Sequence, residues 1–130
     1  MDAVPSPPQL TLRLLPGEDS VAQPEAWPDW LPSEGVVAVM RTAEELSVVC
    51  GSQAVPEGVR TEGGWTVVEF VGPFPFQLTG ILDSVLHPLA QAKIGIFALS
   101  TFNTDYVLVK QVDVPAALSV LRAAGHTVLI

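Results

Sequence analysis

From Leu78 onward the apolar residues Leu78, Ile81, Leu82, Val85, Leu86, Leu89 and Ala90 fall at offsets 0, 3, 4, 7, 8, 11 and 12. This is the stripe of an amphipathic helix that rests one face on a core. Asp83, Ser84, His87 and Gln91 occupy its other face, and Pro88 lies inside it, where it removes one backbone hydrogen bond and bends the axis. Residues 94–101 (IGIFALST) and 105–110 (DYVLVK) follow as two short runs rich in β-branched and aromatic residues, with Phe102, Asn103 and Thr104 as the turn between them. A strand over residues 65–71 precedes the helix and ends at Gly72 and Pro73. A second helix follows the hairpin: Asp113 is its N-cap, Pro115 sits in the first turn, Gly125 closes it, and Val114, Ala117, Leu118 and Leu121 form its apolar face. Residues 127–130 make a last strand.

The predicted order over residues 65–130 is βαββαβ, a ferredoxin-like α+β unit with both helices on one face of an antiparallel sheet. Unrelated activities share that fold, so the order by itself selects no function. In the two central strands both alternate sets are apolar, Ile94, Ile96 and Ala98 against Phe97 and Leu99, and Tyr106 and Leu108 against Val107 and Val109. A two-layer unit needs one apolar face, so the second is expected to be covered by the N-terminal half, by another subunit, or by both; a homodimer is the expectation.

The N-terminal half has weaker periodicity. Residues 10–15 (LRLLPG begins at residue 12) alternate, meet the turn signal Pro16, Gly17, Glu18, Asp19 and return over residues 20–23, which predicts a hairpin. The prolines between residues 24 and 32 exclude a regular element there, and Trp27 and Trp30 are expected to anchor this loop. Residues 36–40 and 46–50 read as strands, with Thr42 and Glu45 as a capping box over one helical turn and another turn over residues 51–56. Residues 57–64 carry three glycines and read as a linker. Residues 1–8, with Pro5, Pro7 and Pro8, are expected to fray.

Composition narrows the function classes. The 130 residues are 48% hydrophobic with 14 acidic and 6 basic side chains, a net charge of −8, and the basic residues do not cluster. Nucleic acid and anionic membranes therefore have no electrostatic footprint to bind. No run approaches the ~20 apolar residues of a membrane span, and no basic and apolar leader follows Met1. The single Cys50 ends an apolar run and is expected to be a buried, inert thiol, in keeping with a reducing, cytoplasmic setting. His87 and His126 have no metal-ligand spacing and are expected at the surface or as caps; no metal or cofactor is expected. Arg13, Arg41 and Arg60 read as solvated charges. The segment 72–80, where a small phosphatase of this topology would place a phosphate-cradling arginine, contains no cation. No nucleophile is paired with a base, so the chain is not expected to be an enzyme.

Two loops remain. Residues 72–80 lead into a helix N-terminus, whose free N–H groups suit a carboxylate. Residues 100–105 (STFNTD) offer hydroxyls, an amide, an aromatic ring and one acid, which can satisfy an ammonium. Ordinary hairpin chemistry accounts for the same residues equally well.

The segments WTVVEFV, LTGIL, AKIGIFALSTFNTDYVLVK and AALSVLRAAGH resemble the ACT domains of the small aspartate-kinase-like, CASTOR-type family, with LSTFNTDY the most specific piece. LRLLPGE, RTAEELSVVC and AVPEGV resemble that family's abbreviated first ACT-like subdomain. The resemblance implies two subdomains, residues 1–62 and 63–130, and a regulatory module that binds a small amino acid between ACT units without catalysis. It implies Leu78, Thr79, Gly80 and Ile81 near the ligand's carboxylate, and Thr101, Phe102, Asn103, Thr104 and Asp105 around the rest. With no attached kinase or reductase, output is expected to pass through a protein partner. A structural or interaction module of the same fold, without ligand, is the alternative.

Overall fold

The computed structural model describes residues 8–130, so the expectation of a frayed end falls outside the described residues except for Pro8. Contacts divide the chain into two compact units, one formed by described residues 8–15 and 67–130, the other by residues 16–66. The division differs from the expected one at 62/63, because the first strand belongs with the C-terminal residues.

In the larger unit, β1 (Thr11–Leu14), the second half of β5 (Arg60–Phe70), α1 (Ile81–Gln91), β6 (Ile96–Ser100), β7 (Asp105–Lys110), α2 (Val114–Ala123) and β8 (Thr127–Leu129) follow the predicted βαββαβ order with one strand added. The strand order is β8-β1-β5-β7-β6. β1 runs antiparallel to β5, with Leu12 opposite Phe70, and parallel to β8, with Leu12 opposite Val128. It therefore makes no hairpin with residues 20–23. Alternation turns Leu12, Val68, Phe70, Val107, Val109 and Val128 to one face. There they form a core with Val85 and Leu89 of α1 and Leu121 of α2. Each such side chain stabilises by roughly 1.5–3 kcal/mol on burial. On the opposite face Val67 and Leu108 are also buried within the chain, whereas Phe97, Leu99 and Tyr106 are half-buried.

Helix α1 begins at Ile81, three residues later than the apolar stripe, because Gly80 adopts φ 81° and interrupts it. A left-handed backbone of this kind favours glycine. Leu78 consequently stands outside the helix at 49% exposure. Asp113 is the N-cap of α2 but makes no side-chain capping bond. At the other end Gly125 N–H donates to Arg122 O and His126 N–H to Leu121 O, closing the helix.

Pro88 has no N–H to give the Ser84 carbonyl, its partner one turn earlier. His126 supplies the missing donor: its Nε2 lies 2.8 Å from Ser84 O, and its Nδ1 accepts the Leu10 N–H at 3.0 Å. The Leu10 bond requires a bare Nδ1, which leaves the proton on Nε2 for Ser84. His126 is 5% exposed, so the expected surface role is corrected; His87 is exposed as expected.

The smaller unit contains β2 (Asp19–Gln23), β3 (Ala38–Arg41), β4 (Leu46–Gly51) and the first half of β5, in the order β3-β4-β2-β5. It has no α-helix, only a single 3₁₀ turn at Ser52–Ala54. The expected helical turn at residues 42–45 is instead the turn of the β3–β4 hairpin, where Thr42 Oγ1 accepts the Glu44 and Glu45 N–H groups. The supposed linker 57–64 is in large part the start of β5. Cys50 is free and buried; burial, and then the charge of Asp19, raise its thiol pKa and so lower its nucleophilicity at neutral pH.

Replacing His126 by Ala leaves the Leu10 N–H and the Ser84 carbonyl unsatisfied and should cost roughly 2–4 kcal/mol in urea denaturation. Pro88→Ala in that background restores a donor to Ser84 and should recover about 1 kcal/mol. Equal losses from His126→Ala with and without Pro88 would show that the histidine does not serve the helix carbonyl.

Candidate functional site

The segment between β5 and α1 is drawn onto the β6–β7 turn by the backbone. Gly72 and Pro73 are joined by a cis peptide bond, after which Phe74 N–H donates to Asn103 O at 2.8 Å. A Cβ on Gly72 would stand 3.2 Å from that same carbonyl oxygen and 3.1 Å from the Phe74 ring, so the approach suits glycine. From the other side Thr104 Oγ1 donates to Phe70 O at 2.6 Å. The turn closes on itself: Thr101 N–H donates to Thr104 O at 2.8 Å, and Thr104 N–H to Thr101 Oγ1 at 3.2 Å.

These contacts enclose a pocket of about 200 Å³ lined by residues 74–76, Leu78, Ile81 and residues 100–105. Of the residues that the resemblance implies, Leu78, Ile81, Thr101, Phe102, Asn103, Thr104 and Asp105 line this pocket. Thr79 and Gly80 are not among the lining residues; Gly80 serves as the N-cap of α1. Ser100 belongs to the loop that the sequence offered, whereas Phe74, Pro75 and Phe76 were not singled out, although two aromatic residues in the loop before a helix were a signal. The Phe76 and Phe102 rings stand 5.0 Å apart at 79°, an edge-to-face pair, and are 74% and 79% exposed.

Much of the polar chemistry is already committed. Both threonine hydroxyls hold the turn, and Ser100 Oγ donates to Asp105 Oδ1 at 2.5 Å across the β6–β7 pair. The Asn103 side chain has no hydrogen-bond partner among the described residues. Asp105 is the single charged residue of the lining. The pocket thus offers one acid, one free amide and an aromatic lip.

A family model for the ACT domain matches residues 60–123. A second model, for the N-terminal domain of a related group, matches residues 21–58. Protein Atu0741 from Agrobacterium tumefaciens, known by X-ray crystallography, is 41% identical over 94% of this chain and 93% of its own, with a TM-score of 0.88. The chain belongs to the ACT domain family. Its matched segment is also 46% identical over 41 residues to the human protein CASTOR3P, and spans 25% of that protein's length. The regulatory subunit of aspartate kinase from Thermus thermophilus, in its ligand-free form, shares the fold at 11% identity and a TM-score of 0.58, over 88% of this chain and 97% of that one. Among the described residues of this ACT chain no group of His, Cys, Asp and Glu could hold a metal ion, and no helix is long and apolar enough to cross a membrane.

On the face of the ACT sheet away from the helices, Tyr106 and Glu69 line one cleft, and Glu69 pairs with Arg13. Burial, and then the nearby Glu69 carboxylate, raise the phenol pKa. The folded state then holds the proton more tightly, so Tyr106 favours folding below the free phenol pKa of ~10 and loses that contribution as pH rises through the folded value. Because it is the one tyrosine of the chain, absorbance titration reads it directly. Its midpoint should lie above that of unfolded protein and fall in Glu69→Gln; an unchanged midpoint would remove Glu69 as a cause.

Proposed function

We propose that this ACT chain is a regulatory module that binds a small amino acid, without catalysing a reaction, in the pocket between the loop before α1 and the β6–β7 turn. The observation that carries this reading is the convergence of those two segments around one cavity in which Asp105 is the only charge. A volume of about 200 Å³ lies below the ~300 Å³ at which drug-sized sites begin, and so favours a small ligand. Asp105 receives the ammonium, or a cationic side chain of the ligand. The Asn103 amide and the Ile81 N–H at the start of α1 face the carboxylate, with Leu78 beside them and Thr79 and Gly80 shaping the approach to the helix. Phe76 and Phe102 cover the bound molecule. A second ACT unit from a homodimer completes the cover of the exposed rings, and the signal passes to a protein partner in the cytoplasm. The regulatory subunit of aspartate kinase, which shares the fold, supports a module of this class.

A ligand-free interaction module is the second reading, favoured by the commitment of Thr101, Thr104 and Ser100 to bonds within the turn.

A thermal-shift screen of the twenty amino acids separates the two, since a ligand at 100 times its Kd stabilises by about 2.7 kcal/mol. No shift with any of them would favour the interaction module.

Asp105→Ala should weaken the identified amino acid at least tenfold, about 1.4 kcal/mol. The empty protein loses only the exposed Ser100 bond, so its stability should change by less than about 1 kcal/mol. Unchanged affinity alongside a clear loss of stability would assign Asp105 to the turn alone.

A further inference from the structure

Three adjacent strands each place one polar side chain on the sheet face opposite the helices. Leu12, Phe70 and Val107 point into the core, and alternation sends their neighbours Arg13, Glu69 and Tyr106 to the other side. Arg13 and Glu69 are directly opposite in the β1–β5 register, with Arg13 Nη1 3.1 Å from Glu69 Oε1. Tyr106 stands on the next strand of the same face and lines the same cleft. The row lines a cleft of about 400 Å³ that also takes in Val71, Gly72 and Pro73 and the turn residues Thr101, Asn103 and Thr104.

An ion pair on an open sheet face contributes little to stability. In a cleft it is a fixed dipole. Among the described residues Glu69 is the only partner of Arg13, and it occupies Nη1 alone, so the remaining edge of the guanidinium can still take a carboxylate. Glu69 keeps a second carboxylate oxygen, and Asn103 a free amide. A lone anion here gains Arg13 but meets Glu69, and a lone cation gains Glu69 but meets Arg13. A molecule carrying both charges, laid antiparallel to the pair, meets an opposite charge at each end and leaves the Arg13–Glu69 bond intact.

We infer that the cleft over Arg13, Glu69 and Tyr106 is a binding site for small zwitterions, separate from the Asp105 pocket, with the ligand's carboxylate on Arg13 and its ammonium on Glu69. The two cavities differ in charge. The Asp105 pocket has an acid and no cation, and the cleft has both. They share Thr101, Asn103 and Thr104 as a wall.

The test is a nuclear magnetic resonance titration of the full chain with glycine, acetate and methylammonium. Glycine should shift the Arg13 Nε–H and the Gly72 amide saturably, with acetate and methylammonium each at least about tenfold weaker, the factor that follows from losing one of two charge-assisted contacts. Arg13→Gln and Glu69→Gln should each weaken the glycine response of the Gly72 amide by a similar factor. The charge swap Arg13→Glu with Glu69→Arg keeps an ion pair, and with it a folded control, and should bind glycine again. No shift at these groups at the highest soluble glycine concentration would overturn the inference. So would acetate binding as tightly as glycine, or a response abolished by Asp105→Asn, which would place the ligand in the other pocket. Failure of this site leaves the Asp105 reading standing, because that reading is scored on Asp105 alone.

Discussion

The larger unit depends on a carbonyl that cannot be satisfied by its own helix. Pro88 removes the donor that Ser84 O would have received, in a buried stretch where an unpaired carbonyl costs roughly 1–3 kcal/mol. His126 fills the vacancy, and its second nitrogen holds Leu10 at the entrance to β1. One buried imidazole thereby ties α1, the end of α2 and the inserted strand together. The arrangement explains how a proline sits inside a core-facing helix without leaving an unsatisfied group. Among the described residues no buried side-chain nitrogen or oxygen lacks a partner.

The placement of β1 has a similar logic. It stands between β5 and β8 and meets both, through Leu12 opposite Phe70 on one side and Val128 on the other. The insertion brings Leu10 and Leu12 into the core of the C-terminal unit and puts Arg13 beside Glu69. A strand from the far end of the chain thus contributes both to packing and to the charge pattern of the open sheet face. The β6–β7 turn is tied in by the Thr104 hydroxyl to Phe70 O and by Asn103 O to Phe74 N–H, so both ties end on backbone carbonyls.

The charges divide the surface into two chemistries. Asp105 is the only charge in its pocket, whereas Glu69 is paired with Arg13. In a chain of net charge −8, an arginine fixed beside an acid is a local exception to the repulsion that any anion meets. The committed hydroxyls of Thr101 and Thr104 show that much of the polar content of the turn is structural, while the Asn103 amide and Asp105 retain capacity for further bonds.

Local periodicity determined α1, α2, the β6–β7 hairpin and the order of elements from residue 65 onward, because helix stripes and strand alternation are written within a few residues of one another. The grouping of Leu78 and Ile81 with residues 101–105 came from the resemblance to ACT domains and not from periodicity. Tertiary structure alone decided what β1 pairs with, why His126 is buried, and which acid is free. Those answers rest on contacts between Leu10 and His126, 116 residues apart, Ser84 and His126, 42 apart, and Arg13 and Glu69, 56 apart. The sequence of residues 10–23 is equally compatible with a local hairpin, and the competition is won by the apolar face that Leu10 and Leu12 bury against strands far along the chain. The helix start was misplaced by the same cause in reverse: Leu78 fits the stripe, but the backbone of Gly80, at φ 81°, ends the helix before reaching it. A hydrophobic pattern records which side chains favour burial, and only the folded chain records which partner each polar atom finds.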